Sequence, residues 1–76
     1  MVVAYVMVKA ASGDADRIRD AILDLDGVAE AHIVAGDKDF VVKVDVADPT
    51  DVKLVAADGI QGISGVEDTQ TYISMG

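Results

Sequence analysis

Leu25-Asp26-Gly27-Val28 returns thirty-eight residues later as Ile63-Ser64-Gly65-Val66. In both places an apolar helical stripe stops, a glycine follows and a strand opening on valine begins. Glycine just past the last helical turn is a common helix exit, because it takes the left-handed conformation without a Cβ penalty. The repeat divides the 76 residues into two halves with one plan: strand, helix, strand.

The first half opens at residues 2–8, Val-Val-Ala-Tyr-Val-Met-Val, a continuous apolar run that reads as a strand buried on both faces. Ser12-Gly13-Asp14 breaks it. Ala15, Ile18, Ile22 and Leu25 then recur at three- and four-residue spacing, which is a helical stripe. Ser12 or Asp14 is the expected cap, and Asp16 suits the positive end of the helix dipole. Asp24 and Asp26 sit near the wrong pole, which fits a general pressure for acidity. Residues 28–35 read as a second strand, with Ala29, Ala31 and Ile33 alternating against Glu30 and His32.

Gly36-Asp37-Lys38-Asp39 is a turn. Beyond it Phe40, Val42, Val44 and Val46 alternate with Lys43 and Asp45, a third strand that forms a hairpin with the second. Asp48-Pro49-Thr50-Asp51 opens another helix, with Asp48 as cap and Pro49 at the first helical position. Val52, Val55, Ala56 and Ile60 supply its apolar face, Gly59 weakens its last turn by ~1 kcal/mol relative to Ala, and residues 62–65 end it. Residues 66–75 are the last strand.

Each half is a right-handed crossover unit. Two such units interleave into an α+β, ferredoxin-like βαββαβ sandwich: a four-stranded antiparallel sheet with two helices on one face. The other face is left bare, which a strand as apolar as residues 2–8 does not tolerate in water. The expectation is a homodimer formed through the open sheet face. A domain of this size buries only about 60% of the surface its unfolded chain exposes, and such domains usually add disulfides, a metal or a partner subunit. There is no cysteine, and His32 is the single histidine, so a metal site would have to be all oxygen. With 51% apolar residues the chain has material for an extra buried face, and oligomerisation is the remaining route.

The net charge is −8, carried by twelve Asp and two Glu. It argues against direct nucleic-acid binding, because phosphate contacts need Lys and Arg, and against an anionic membrane surface. Solubility is one reading. Halophilic adaptation is another, since high salt screens self-repulsion, and it implies stability that rises with added KCl. Residues 1–8 are too short for a signal peptide and lack a basic lead, and no run reaches the ~18 apolar residues of a spanning helix. A cytoplasmic protein is expected.

Two stretches place small or polar residues where apolar strands begin or run. Gly36 permits positive φ or close approach by a ligand, and Asp39 can accept hydrogen bonds from an ammonium group; an ordinary hairpin turn accounts for the same residues. Thr69 and Thr71 share one face of their strand. Their hydroxyls can donate to a carboxylate or accept from an ammonium, although strand preference alone also explains threonine there. His32 has no partner nearby in sequence for a dyad, and Ser12, Ser64 and Ser74 lack nucleophile context. Asp14, Asp16 and Asp20 form a solvated helical face. Asp48 to Asp51 lacks calcium-loop spacing, and no glycine-rich phosphate loop is present. No catalytic residue, cofactor or metal site is expected.

Taken together the segments carry a resemblance. Val34-Ala35-Gly36-Asp37-Lys38-Asp39-Phe40-Val41-Val42-Lys43-Val44 resembles the effector-domain hairpin of the leucine-responsive and asparagine-regulator (Lrp/AsnC) family of transcription factors. Gly65-Val66-Glu67-Asp68-Thr69-Gln70-Thr71-Tyr72-Ile73 is similar to that family's last strand. Tyr5-Val6-Met7-Val8 and Leu25-Asp26-Gly27-Val28 fit its first strand and first helix exit. The resemblance covers essentially the whole chain. It implies a single ligand-binding (RAM) domain at residues 1–76 that stands alone, without the helix-turn-helix domain that binds DNA.

The family's effector domain dimerises through its sheets, its dimers often form octameric rings, and it binds amino acids in clefts between dimers. By resemblance, Gly36 and Asp39 on the hairpin and Thr69 and Thr71 on the last strand line that cleft. Asp39 would meet the ligand's ammonium; Thr69, Thr71 and backbone groups near Gly36 would hold the carboxylate; Asp37 and Gln70 are further candidates. Ala35 stands where a hydroxyl residue is common in the family, and Ser64 replaces a frequent proline. The implied function is a non-enzymatic, oligomeric amino-acid-binding module that modulates transcription. It would do so by sensing an amino acid or by co-assembling with full-length family members. Two other classes stay open: an enzyme of the small dimeric α+β barrel type, with a sheet-lined cavity containing His32, and a pure assembly partner with a vestigial pocket.

Overall fold

The computed structural model of the protein describes residues 2–11 and 13–75; Ser12, a candidate helix cap, lies outside them. In chain order the elements are β1 (Val2–Ala10), α1 (Ala15–Leu23), β2 (Val28–Ile33), β3 (Phe40–Val46), α2 (Pro49–Lys53), a π-helical segment (Leu54–Ile60) and β4 (Val66–Ile73). The strands form one sheet in the order β2-β3-β1-β4, and every neighbouring pair is antiparallel. This is the ferredoxin-like arrangement that the repeat implies.

One sheet face makes the core. Ala4, Val6 and Val8 of β1 and Phe40, Val42 and Val44 of β3 are fully buried beneath Ile18 and Ile22 of α1 and Val52, Val55, Ala56 and Ile60 of the second helix. Each fully buried Val, Ile or Phe contributes about 1.5–3 kcal/mol relative to exposure. The opposite face carries the alternate residues of the same strands. Tyr5 sits directly across from Tyr72, and the two are 38% and 55% exposed. Within one protomer β1 is therefore covered on one face only.

The recurring joint has one geometry at both sites. Gly27 and Gly65 have φ of 93° and 102°. The following N–H turns back in each case, Val28 to the Leu25 carbonyl at 3.3 Å and Val66 to the Ile63 carbonyl at 3.2 Å.

Several boundaries differ from the sequence expectations. β1 continues past Val8 to Ala10, because Asp39 Oδ2 accepts the Ala10 N–H at 2.8 Å and pairing with β4 extends to Val66 across a register shift. β2 ends at Ile33 rather than residue 35. Its register with β3 shifts between Val28 and Glu30, so the expected alternation fails there: Val28 and Ala31 pack against the core while Ala29 is exposed. A bulge adds one residue on one strand and flips the inward set. Asp14 flanks α1 but makes no side-chain cap bond; its carboxylate lies 3.4 Å from Arg17 Nη2, which also donates to the Ser64 carbonyl at 3.0 Å. β4 ends at Ile73, two residues before the expected end.

The second helix starts as expected: Asp48 Oδ1 accepts the Thr50 N–H at 3.0 Å and Pro49 opens the first turn. After Lys53 it widens into the π-helical segment, whose end is marked by Gln61 N–H donating to the Ala56 carbonyl, five residues back, at 3.2 Å. The wider turn lets Val55 and Ile60 both face the core. Gly59 is what allows the segment to lie close to Leu25; a Cβ there would sit 3.0 Å from Leu25 Cδ1. Among the described residues, no helix is long and apolar enough to cross a membrane, and no cluster of three or more potential metal ligands occurs.

Candidate effector site

β4 is an edge strand, and its register decides which side chains meet the helices. Thr69, Thr71 and Ile73 stand opposite Val8, Val6 and Ala4, all of which face the helix layer and are fully buried. The three β4 residues therefore share that face. No strand lies beyond them, so a groove of about 320 Å³ opens between β4 and the second helix. Val52, Ala56 and Pro49 give it apolar walls on the helix side, and Lys53 and Gln61 give it polar groups.

Gln61 Nε2 donates to Thr69 Oγ1 at 2.8 Å. The Thr69 oxygen is thus used as an acceptor, which leaves its own proton free to donate. The Thr69 backbone N–H is held by Asp68 Oδ1 at 2.9 Å. Lys53 makes no ion pair among the described residues, although the chain carries net charge −8. The π-helical segment sets the position of Gln61. Its N–H skips one residue beyond the usual partner, and each residue of an α-helix turns about 100°.

The hairpin tip is elsewhere on the same end of the sheet. Gly36 has φ of 143°, with no atom within 4 Å of where a Cβ would stand, so backbone conformation, not crowding, favours glycine. Asp37 is exposed. Asp39 is structurally engaged at three points: its N–H donates to the Val8 carbonyl at 2.9 Å, its carbonyl accepts from Val34 N–H at 2.9 Å, and its Oδ2 accepts from Ala10. Val8 pairs with Phe40 on one side and Thr69 on the other. The tip and Thr69 are thus separated by β1, roughly 10 Å across two strand spacings. Gln70 pairs with Met7 on the bare face and accepts from the Tyr72 hydroxyl at 3.3 Å.

The structure therefore gathers Thr69 and Thr71 into one groove, sets Gly36, Asp37 and Asp39 at the same end of the sheet beyond β1, and puts Gln70 on the opposite face. Lys53 and Gln61 were missed by sequence reasoning. Their signal was position: each directly follows a buried residue, Val52 or Ile60, at the margin of the apolar stripe.

His32 stands in the open on β2. Its Nε2 is 2.9 Å from Glu30 Oε1, and Lys43 Nζ is 3.8 Å from Glu30 Oε2. The His32 hydrogen bond, with a smaller contribution from Lys43, holds the Glu30 carboxyl below its ordinary value.

A βαββαβ sandwich with a groove between its edge strand and second helix belongs to the class of ferredoxin-like α+β domains. The sequence pattern of the Lrp/AsnC ligand binding domain matches residues 3–76, and the chain belongs to that family. The leucine-responsive regulatory protein of Haemophilus influenzae is 29% identical over 75 residues, 99% of this chain. The chain spans 45% of that regulator's length. Among solved structures, TTHA0845 from Thermus thermophilus superposes with a TM-score of 0.93 at 31% identity, covering 99% of this chain and 94% of that one. The transcriptional regulator NMB0573 of Neisseria meningitidis, in complex with L-Met, shares the fold with a TM-score of 0.85 at 17% identity, over 99% of this chain and 50% of that one. These relatives are transcription regulators or share their fold.

Proposed function

We propose that the protein is a cytoplasmic, non-enzymatic effector domain that binds an amino acid and passes that state to transcription regulators. The groove beside β4 is the ligand's seat. Thr69, Thr71 and Lys53 are its carboxylate-binding side, and the hairpin tip of a neighbouring copy, with Gly36, Asp37 and the free oxygen of Asp39, is the wall that closes it. Gln70 acts from the bare face, at the contact between copies. Two sheet faces pack through Tyr5, Met7 and Tyr72 to make the dimer, and dimers meet end to end into a larger ring, up to an octamer. Co-assembly with a full-length Lrp/AsnC-type regulator is the route to DNA.

The single observation carrying this reading is the pair of threonine hydroxyls on the helix face of an edge strand, facing a groove that also holds Lys53, which makes no ion pair among the described residues. The L-Met complex of the Neisseria regulator supports an amino acid as the ligand type for this fold. Isothermal titration calorimetry of the oligomeric protein against the twenty amino acids tests it. Saturable heat with at least one is expected, and silence across the panel overturns the sensor.

A further inference from the structure

We propose that the same groove takes a short aliphatic 2-oxo acid, the deaminated counterpart of an amino acid, and that one protomer supplies all the groups needed to hold it. The inference rests on the groove being the ligand site and goes further by naming a second ligand class for it.

An amino acid brings an ammonium group, and an ammonium taken out of water needs an acceptor, best a carboxylate. The chain has fourteen acidic residues, yet none of the described residues lining the groove is acidic. The charged group that the protomer offers is a donor, Lys53 Nζ, joined by the second N–H of Gln61 and the hydroxyl protons of Thr69 and Thr71, and the acceptors beside them, Gln61 Oε1 and Thr71 Oγ1, are neutral. The Gln61 bond to Thr69 Oγ1 reinforces this bias, since it takes one of the oxygen's two lone pairs and leaves the proton to donate. A carboxylate with an adjacent carbonyl presents three acceptor oxygens and no donor. That is the complement of this set.

The groove is also graded along its length. Gln61 meets Thr69 at one end, while Pro49 and Ile73 line the other, because the helix and β4 run in opposite senses. Val52 and Ala56 flank the path between. A polar head near Thr69 therefore directs an aliphatic tail towards Ile73. About 320 Å³ lies at the small end of the ~300–1,000 Å³ typical of ligand sites. An amino acid fits the same seat only when a neighbour's hairpin brings a carboxylate to its ammonium.

Calorimetry of the full chain with 4-methyl-2-oxopentanoate, 4-methylpentanoate and leucine tests the inference. The 2-oxo acid is expected to bind saturably, and Lys53→Gln to weaken it tenfold or more with an unchanged melting temperature. Leucine binding with no heat from the 2-oxo acid overturns the inference and leaves the amino-acid sensor standing. Equal affinity for 4-methylpentanoate removes any role for the oxo oxygen and overturns the assignment to 2-oxo acids. Silence from all three, together with silence from the amino-acid panel, overturns the groove as a ligand site.

Discussion

Gly27 and Gly65 hold equivalent posts in the two halves of the fold: φ is 93° and 102°, and each carbonyl accepts a backbone N–H, from Asp45 of β3 at 2.8 Å and from Ala11, just past β1, at 2.7 Å. The crowding differs from that at the hairpin glycine. A Cβ on Gly27 would stand 2.8 Å from Val46 Cγ1 and 3.0 Å from Val55 Cγ2, whereas one on Gly36 meets nothing within 4 Å. Gly27→Ala combines left-handed strain of about 1–2 kcal/mol with overpacking of about 1–3 kcal/mol. Gly36→Ala carries only the backbone part. Denaturant unfolding of both variants is expected to rank Gly27→Ala as clearly worse; equal losses contradict the packing account.

Asp39 ties the hairpin tip to β1 through the Ala10 N–H. Asp39→Ala leaves that half-buried donor unpaired and is expected to cost about 1–3 kcal/mol. Asp39→Asn keeps an acceptor and costs less. Thermal melts give the ranking, and faster hydrogen exchange at the Ala10 amide locates the damage. Asp37→Asn is the cleaner probe of the tip's charge, because Asp37 is exposed and holds no strand in place.

Thr69→Val and Thr71→Val each remove one hydroxyl from the groove while keeping the strand's shape. Effector affinity is expected to fall about tenfold, or ~1.4 kcal/mol, for each. Stability is expected to stay within ~0.5 kcal/mol of the parent, since neither residue is buried. Calorimetry and chemical denaturation on the same samples separate the two effects; an unchanged affinity in both variants removes the threonines from the site.

How much of this was legible follows from which residues carry a local signal. Phe40, Val42, Val44 and Val46 alternate with Lys43 and Asp45, so β3 and its inward face were readable from the chain. The paired joints at Gly27 and Gly65 made the βαββαβ order readable too, and the period of two put Thr69 and Thr71 on one face. The bulge beside Ala29 was not readable, because alanine is acceptable on either face and the register is set by β3. The π-helical segment was hidden for a related reason. Val52, Val55, Ala56 and Ile60 fit an ordinary helical stripe, and the close approach of Gly59 to Leu25 is a tertiary contact that no local pattern shows. Lys53 and Gln61 became site residues only once the helix lay beside β4, and no local pattern encodes that distance.

The Glu30 carboxyl lies below its ordinary value, chiefly because His32 donates to it and secondarily because Lys43 is near. A folded-state value below the unfolded one means that the contribution is fully present at neutral pH. It is lost as pH falls below 4.5, the ordinary value, and through the depressed one. His32→Ala is expected to move the Glu30 midpoint upward, read from side-chain carboxyl shifts in an NMR titration. A midpoint that does not move assigns the effect to Lys43.

The bare face tests the dimer. Tyr72 is 55% exposed in one protomer and faces Tyr5 across the strand pair. Tyr72→Asp puts a charge into the proposed sheet-to-sheet contact. Light scattering is expected to show the mass of a single chain at micromolar concentration, against a multiple of it for the parent. A variant that keeps the parental mass moves the contact to another surface.

The extra residue in the turn before Gln61 uncouples chain length from recognition. A chain with one codon fewer between Ala56 and Gln61 would make the same Gln61-to-Ala56 bond four residues apart, close a regular α-helix and leave the amide beside Thr69. Descendants of this domain can therefore gain or lose that residue by a single in-frame change while the groove keeps its amide.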